Sequence, residues 1–214
     1  MRKLDKFLDN IWKVLIVYAA FLLFLIVLFS TVLMLTQIPS GSMESTIMTG
    51  DVVVASRYGI ELDDIKRYDI LVFEPPIDEE SLYIKRVIGL PGEVIEVKDG
   101  KVYADGAELD NTFTNGMQNC NGDGIWEVPK GCLFFLGDNR NNSADSRFWE
   151  DAFVPIENVK AKAQWVIFPL SHFGSLSYDG SRTGAFQSEP PEEAESEREL
   201  PPSFEPKRSV VLSP

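Results

Sequence analysis

Histidine is almost missing from this chain: His172 is the only one in 214 residues. Cysteine is nearly as scarce, with Cys120 and Cys132 alone. Structural zinc asks for about four closely spaced Cys or His ligands, so no such centre can be assembled. The chain gives no reason to expect a metal or any other cofactor. Positive charge is also short: 20 Lys and Arg stand against 33 Asp and Glu, a formal charge of −13. Nucleic-acid binding calls for clustered Lys and Arg facing phosphates, so that class of partner is excluded. The acidic run Asp78-Glu79-Glu80 reads as a solvated loop rather than a cation site. Helical periodicity is the last absence: beyond the N-terminal region no stretch sustains it.

That N-terminal region holds a long apolar segment. Val14 to Leu35, VLIVYAAFLLFLIVLFSTVLML, carries no charge and has about the 20 residues a helix needs to cross the hydrocarbon core of a bilayer. Ser30 and Thr31 interrupt it, and both hydroxyls can bond to carbonyls one turn earlier. Arg2, Lys3, Lys6 and Lys13 precede it against Asp5 and Asp9. A positive flank is retained in the cytoplasm, so residues 1–13 are expected inside and everything after the span outside. Trp12 and Tyr18 suit the inner interface. A cleavable signal peptide would have an apolar region of about 7–15 residues and a small-x-small exit. This run is longer and leaves through Met34-Leu35-Thr36-Gln37, so it reads as an uncleaved single-pass anchor in a lipid bilayer.

From Asp51 onward short β-branched runs recur between turn signals. Asp51–Ser56, Tyr68–Phe73, Leu82–Ile88, Glu93–Val97, Lys101–Tyr103, Gly131–Leu136 and Val159–Phe168 read as strands. Lys98-Asp99-Gly100 and Asp105-Gly106 read as tight turns, and Asn111–Gly124 as a polar loop. The expected fold is mostly β, an antiparallel sheet or open barrel behind one transmembrane helix. Residues 36–170 would form this domain. Residues 171–214, rich in Ser, Pro and Glu around EPPEEAESERELPPSFEP, hold too few apolar side chains to offset ordering entropy and read as a disordered tail. Cys120 and Cys132 frame a loop on the oxidising side; a disulfide and two free thiols are both open.

Chemistry concentrates in three stretches. Gln37–Asp51, QIPSGSMESTIMTGD, places Ser40 and Ser42 on either side of Gly41, where a missing Cβ permits close backbone approach. A serine hydroxyl needs a base to become a nucleophile, and His172 lies far downstream. Lysine is the alternative base. Ser81–Gly92, SLYIKRVIGLPG, places Lys85 on one strand face with Tyr83 and Val87, and Ile84, Arg86 and Ile88 on the other. Burial there disfavours the ammonium form and lowers the pKa toward that of a general base. A snorkelling surface lysine is the plainer alternative. Gly137–Trp149, GDNRNNSADSRFW, is dense in Asp, Asn, Ser and Arg.

Taken in this order behind a membrane segment, PSGSM with TGD, YIKRVIGLPGE and GDNRNNSADSRFW resemble the type I signal peptidases, membrane-bound Ser/Lys endopeptidases that remove signal peptides. The resemblance covers most of Val14 to Phe168. Many members have proline where this chain has Ser45. The resemblance implies that Ser42 is the nucleophile and Lys85 its base, with the Ser42 N–H and the Ser40 hydroxyl holding the oxyanion. It implies that Ser143 hydrogen-bonds the lysine, while Asp145, Arg147, Arg86 and Asp138 form a charged scaffold. Ile38, Met43, Ile47, Tyr83 and Ile84 would line shallow apolar pockets that admit alanine, giving Ala-x-Ala specificity. The partners implied are signal-peptide-bearing preproteins, bound as an added strand, with the secretion translocon nearby. The location implied is a plasma membrane, bacterial in character.

Two other readings compete. Self-cleaving repressors share a Ser/Lys dyad on a related β fold, but they need a DNA-binding region and no membrane span. A catalytically inactive relative acting as a membrane-tethered assembly factor would be expected to lack the serine or the lysine, and both are present.

Overall fold

The computed structural model describes residues 2–78, 80–114 and 122–178, with residues 2–9 described in backbone only. The first element is helix α1, Arg2–Thr31. Its Asn10–Thr31 part is 22 residues long, with a mean hydropathy of 2.8 and no burial against the rest of the protein. At 1.5 Å per residue it is about 33 Å long, enough to cross a bilayer core. Ser30 and Thr31 close the last turn by donating to the Val27 carbonyl at 3.1 and 2.7 Å.

The helix stops earlier than the apolar run. Strand β1 is Leu33–Gln37, so the expected span of 14–35 is corrected at its outer end. Apolar composition alone does not separate the end of a helix from the start of a strand. A partner decides: β1 pairs antiparallel with β2, Val52–Ser56, from Leu33 opposite Ser56 to Gln37 opposite Val52. Met34 packs against the core.

The remaining strands are β3 (Ile70–Phe73), β4 (Tyr83–Gly89), β5 (Val94–Lys98), β6 (Lys101–Ala104), β7 (Ala107–Glu108), β8 (Gly124–Glu127), β9 (Cys132–Leu136), β10 (Val154–Pro155), β11 (Val159–Phe168) and β12 (Gly174–Ser175). Two antiparallel sheets result. The larger runs β1-β2-β11-β3-β4-β9-β10, with β12 on β11, and the smaller runs β7-β6-β5-β8. The expected mostly-β, antiparallel fold is thus what the chain adopts. The β5–β6 turn is at Asp99-Gly100, both with positive φ, as the primed hairpin turns demand.

β3 and β4 are central in the larger sheet, and their alternation divides the core. Ile70, Val72 and Ile84 join Ile38, Met43, Ile47 and Val53 on one side. Leu71, Phe73, Val87 and the half-buried Tyr83 pack with Phe135 and Trp149 on the other. β3 is buried on both faces, which explains its continuous apolar run.

The C-terminal boundary also needs correction. Residues 171–178, expected as the start of the tail, are folded onto the domain: β12 pairs with β11, and Leu176 is buried among the core residues. One apolar side chain with a matching cavity suffices where average composition reads as polar. The remainder of the expected tail and Cys120 lie outside the described residues.

Candidate active site

The Ser42 turn leaves β1, makes a short 3-10 turn over Gly41–Met43, and returns into β2. Its backbone closes on itself: Glu44 N–H donates to Gly41 O, and Thr46 and Ile47 N–H donate to Met43 O. Ile38 N–H donates to Asp51 O and Gly50 N–H to Ile38 O, pinning both ends. Met43 and Ile47 are wholly buried in the core, so they act as plugs that seat the turn while Ser42 faces a cleft.

Lys85 reaches that cleft from β4. Its Nζ lies 2.7 Å from Ser42 Oγ and donates to the Ile84 carbonyl at 3.1 Å. It is only 4% exposed, and the Tyr83 ring centroid lies 5.2 Å from Nζ. Burial pushes the Lys85 pKa down to about 8, against the opposing pull of the Asp145 and Asp138 carboxylates. The snorkelling alternative does not fit a side chain this buried. Ser40 Oγ is 3.5 Å from Ser42 Oγ, at the outer limit of a hydrogen bond.

The third stretch folds as a loop stapled by two buried, bidentate ion pairs. Arg86 Nε and Nη2 meet Asp138 at 2.8 and 2.6 Å, and Arg147 Nε and Nη2 meet Asp145 at 2.8 and 2.9 Å. Asp145 also accepts from Gly137 N–H at 3.0 Å, and Arg147 donates to the Arg140 carbonyl. Paired charges of this kind fix geometry; removing one partner leaves the other buried and unpaired.

Together the elements border an open cleft of about 510 Å³. Ser40, Ser42 and Lys85 line it together with residues of the Ser81–Ile84 segment and with Asn142 and Ala144. Ile38, Met43 and Ile47 are not on this surface. They are 2%, 0% and 0% exposed and pack with Ile84 in the core. Their side chains face inward, behind the cleft rather than on its lining. Ser143 is 9% exposed, and its Oγ is buried without a hydrogen-bond partner among the described residues. The expected Ser143–Lys85 hydrogen bond is therefore not formed in this structure; the Nζ bonds seen are those to Ser42 Oγ and the Ile84 carbonyl.

Several participants were not singled out from the sequence. Asn139 holds the Ser42 turn twice, with its N–H on Ser42 O at 3.1 Å and Nδ2 on Gly41 O at 2.9 Å. Thr46 donates to Asp138 at 2.5 Å. A Cβ on Gly137 would overlap Ser143 Oγ and come within 2.5 Å of Ser42 O, so only glycine lets the two stretches meet. Gly137 and Asn139 both sit inside the dense Asp/Asn stretch, which was the signal available. His172 bonds Asp51 at 2.6 Å, while Asp51 accepts from Met48 N–H; the histidine braces the turn's exit and does not line the cleft. Among the described residues no group of three or more His, Cys, Asp or Glu could hold a metal ion.

Ser45, where proline is common in the resembling family, has a φ of +93°. Proline is locked near −65° and cannot take that conformation, so this turn is locally different.

The family model described as "Signal peptidase, peptidase S26" matches residues 10–168. Signal peptidase I of Pseudomonas fluorescens is 33% identical, over 67% of this chain and 69% of its own. Probable signal peptidase I-1 of Synechocystis sp. is 38% identical, over 65% of this chain and 73% of its own. A crystal structure of a signal peptidase I from Enterococcus faecalis V583 is 33% identical with a TM-score of 0.41, covering 46% of this chain and 95% of that one. With nearly the whole folded region matched, the chain belongs to the signal peptidase family, peptidase S26, and is a peptidase.

Proposed function

We propose that this protein is a signal peptidase I that removes signal peptides from secreted preproteins with a Ser42–Lys85 dyad. The observation that carries this reading is the 2.7 Å approach of Lys85 Nζ to Ser42 Oγ, both lining one cleft. When Lys85 is protonated its Nζ donates to Ser42. Once neutral, its lone pair accepts the Ser42 proton as Oγ attacks the scissile carbonyl. The resulting ammonium then returns that proton to the leaving amine. The Ser42 N–H and the Ser40 hydroxyl face the developing oxyanion, and a preorganised donor of this kind is worth about 2.7–4 kcal/mol. Asn139 occupies the carbonyls of Gly41 and Ser42, which fixes the peptide planes of the turn. Asp138, Arg86, Asp145 and Arg147 support the loop without touching the reacting atoms.

Substrate would bind extended beside the Tyr83–Ile84 wall. The packed residues behind it, Ile38, Met43 and Ile47, cannot yield to a large side chain, which favours alanine next to the cut and two residues before it. The positive flank before the apolar part of α1 orients the chain with its N-terminus in the cytoplasm and its catalytic domain outside. Thr31 and Ser42 are eleven residue steps apart, at most about 36 Å at 3.3 Å each. The site thus stays near the outer membrane surface, where a translocon delivers cleavage points.

Cleavage of an Ala-x-Ala preprotein by the purified full chain in detergent tests this. Wild type should cut, Ser42→Ala and Lys85→Arg should not while remaining folded, and Phe in place of the alanine beside the cut should block processing. Retained cleavage by folded Ser42→Ala would overturn the assignment. The inactive-assembly-factor reading predicts no cleavage by any form.

A further inference from the structure

Ser45 holds a backbone conformation that side-chain-bearing residues rarely take, with φ at +93°. Strain of this kind persists only where the surroundings over-determine it. Here the Ser45 hydroxyl donates to the Phe113 carbonyl at 2.7 Å, joining segments 68 residues apart in sequence. Phe113 touches the other half of the site as well. Its ring centroid lies 4.1 Å from the guanidinium carbon of Arg86, the residue that follows Lys85 on β4. Phe113 is 3% exposed and held edge-on by Tyr68 and Tyr178, with centroids 5.5 and 6.0 Å away. The Tyr178 hydroxyl donates to Asp110 at the start of the same loop.

One residue therefore abuts both catalytic elements. The carbonyl of Phe113 holds the turn three residues past Ser42, and its ring supports the strand position next to Lys85. Between Ser45 and Ser42 the turn is short and cross-bonded, with Thr46 and Ile47 N–H on Met43 O. Movement at Ser45 is therefore passed to the nucleophile rather than absorbed. The neighbouring bond from Thr46 to Asp138 anchors the same turn to Arg86 by a second route.

We propose that Ser45 is a positioning residue: its hydroxyl fixes the nucleophile turn against Phe113 and thereby sets the separation between Ser42 and Lys85. The inference rests on the Ser/Lys reading above. It differs from a stabilising role in a measurable way, because glycine takes a positive φ without strain. Ser45→Gly loses the hydrogen bond yet relieves the backbone, so stability and positioning move apart.

The test compares wild type, Ser45→Gly and Ser45→Asn in detergent, reading kcat, KM, the pH midpoint of kcat/KM and the urea midpoint of unfolding. Misplacing a reacting group by about 1 Å can cost on the order of 100-fold. Ser45→Gly should accordingly lose at least about tenfold in kcat. Its KM should hold within about threefold and its urea midpoint should be unchanged or higher. Its pH midpoint should rise, since a loosened turn lets water reach Lys85. Asn tolerates positive φ and carries an amide donor, so Ser45→Asn should recover part of the lost kcat. Ser45→Gly with kcat and pH midpoint at wild-type values overturns the proposal while leaving the dyad intact if Ser42→Ala is inactive. Cleavage by folded Ser42→Ala overturns both.

Discussion

If cleavage runs through the proposed Ser42–Lys85 dyad, its pH dependence follows from what Lys85 must be before it can act. An ammonium cannot accept the Ser42 proton, so activity scales with the neutral fraction. With a pKa near 10.4, fewer than about one lysine in a thousand would be neutral at pH 7. Burial lowers Lys85 to about 8, which makes about one in ten neutral at that pH. On the proposed mechanism, burial would supply a gain of a few hundredfold in active enzyme before any chemistry begins. The same drop, from 10.5 to about 8, corresponds to roughly 3 kcal/mol of differential interaction between the two protonation states. Its sign is destabilising. Below pH 8 folded and unfolded chains both carry the proton, and the folded state bears the whole cost of a buried ammonium. Between about 8 and 10.5 only the unfolded state holds the proton, so this contribution to stability improves with pH and the cost is gone above 10.5. Initial rates on an Ala-x-Ala peptide, with substrate far below KM and pH from 6 to 10.5, should show kcat/KM rising tenfold per pH unit and levelling near pH 8. Lys85→Met should abolish cleavage and raise the melting temperature at pH 7, the gain shrinking toward pH 10.5. A rate still climbing in proportion to hydroxide at pH 10 would refute the reasoning, as would substantial activity in a clean Lys85→Arg preparation.

Three other outcomes are expected. Gly137→Ala should depress kcat severely, because the added methyl collides with Ser143 Oγ and the Ser42 carbonyl; a rate within a few-fold of wild type would contradict the close approach. His172→Ala should cost about 1–2 kcal/mol of stability by leaving a buried Asp51 oxygen unpaired, while cleavage persists, as urea unfolding and peptide assays in parallel would report. Removing residues 180–214 should leave activity nearly unchanged, whereas removing 174–214 should destabilise the domain, since Leu176 is 1% exposed and Leu→Ala changes in cores already cost about 2–5 kcal/mol; equal melting temperatures for the two truncations would argue against the β12 packing.

The anchor, the β class and the two dyad candidates were legible because each depends on local chemistry. An uncharged run of membrane length, β-branched strands between Gly-bearing turns, and a serine and a lysine in distinctive settings are properties of the chain itself. The charged stretch around Asp138 and Asp145 was likewise visible as unusual density. What the chain could not announce were facts created by partners distant in sequence. The apolar residues Leu33–Leu35 became strand rather than helix because β2 offered a ladder, and Leu176 was drawn out of a polar segment by a place in the core. Ile38, Met43 and Ile47 turned inward into the core that β2, β3, β4 and β11 build around them. Ser143 came to rest beside the dyad but unpaired. The Ser45–Phe113 bond joins positions 68 residues apart. Residue type fixes what a group can do; only the fold fixes which groups share a few ångströms, since hydrogen bonds and desolvation act over that range and sequence separation does not.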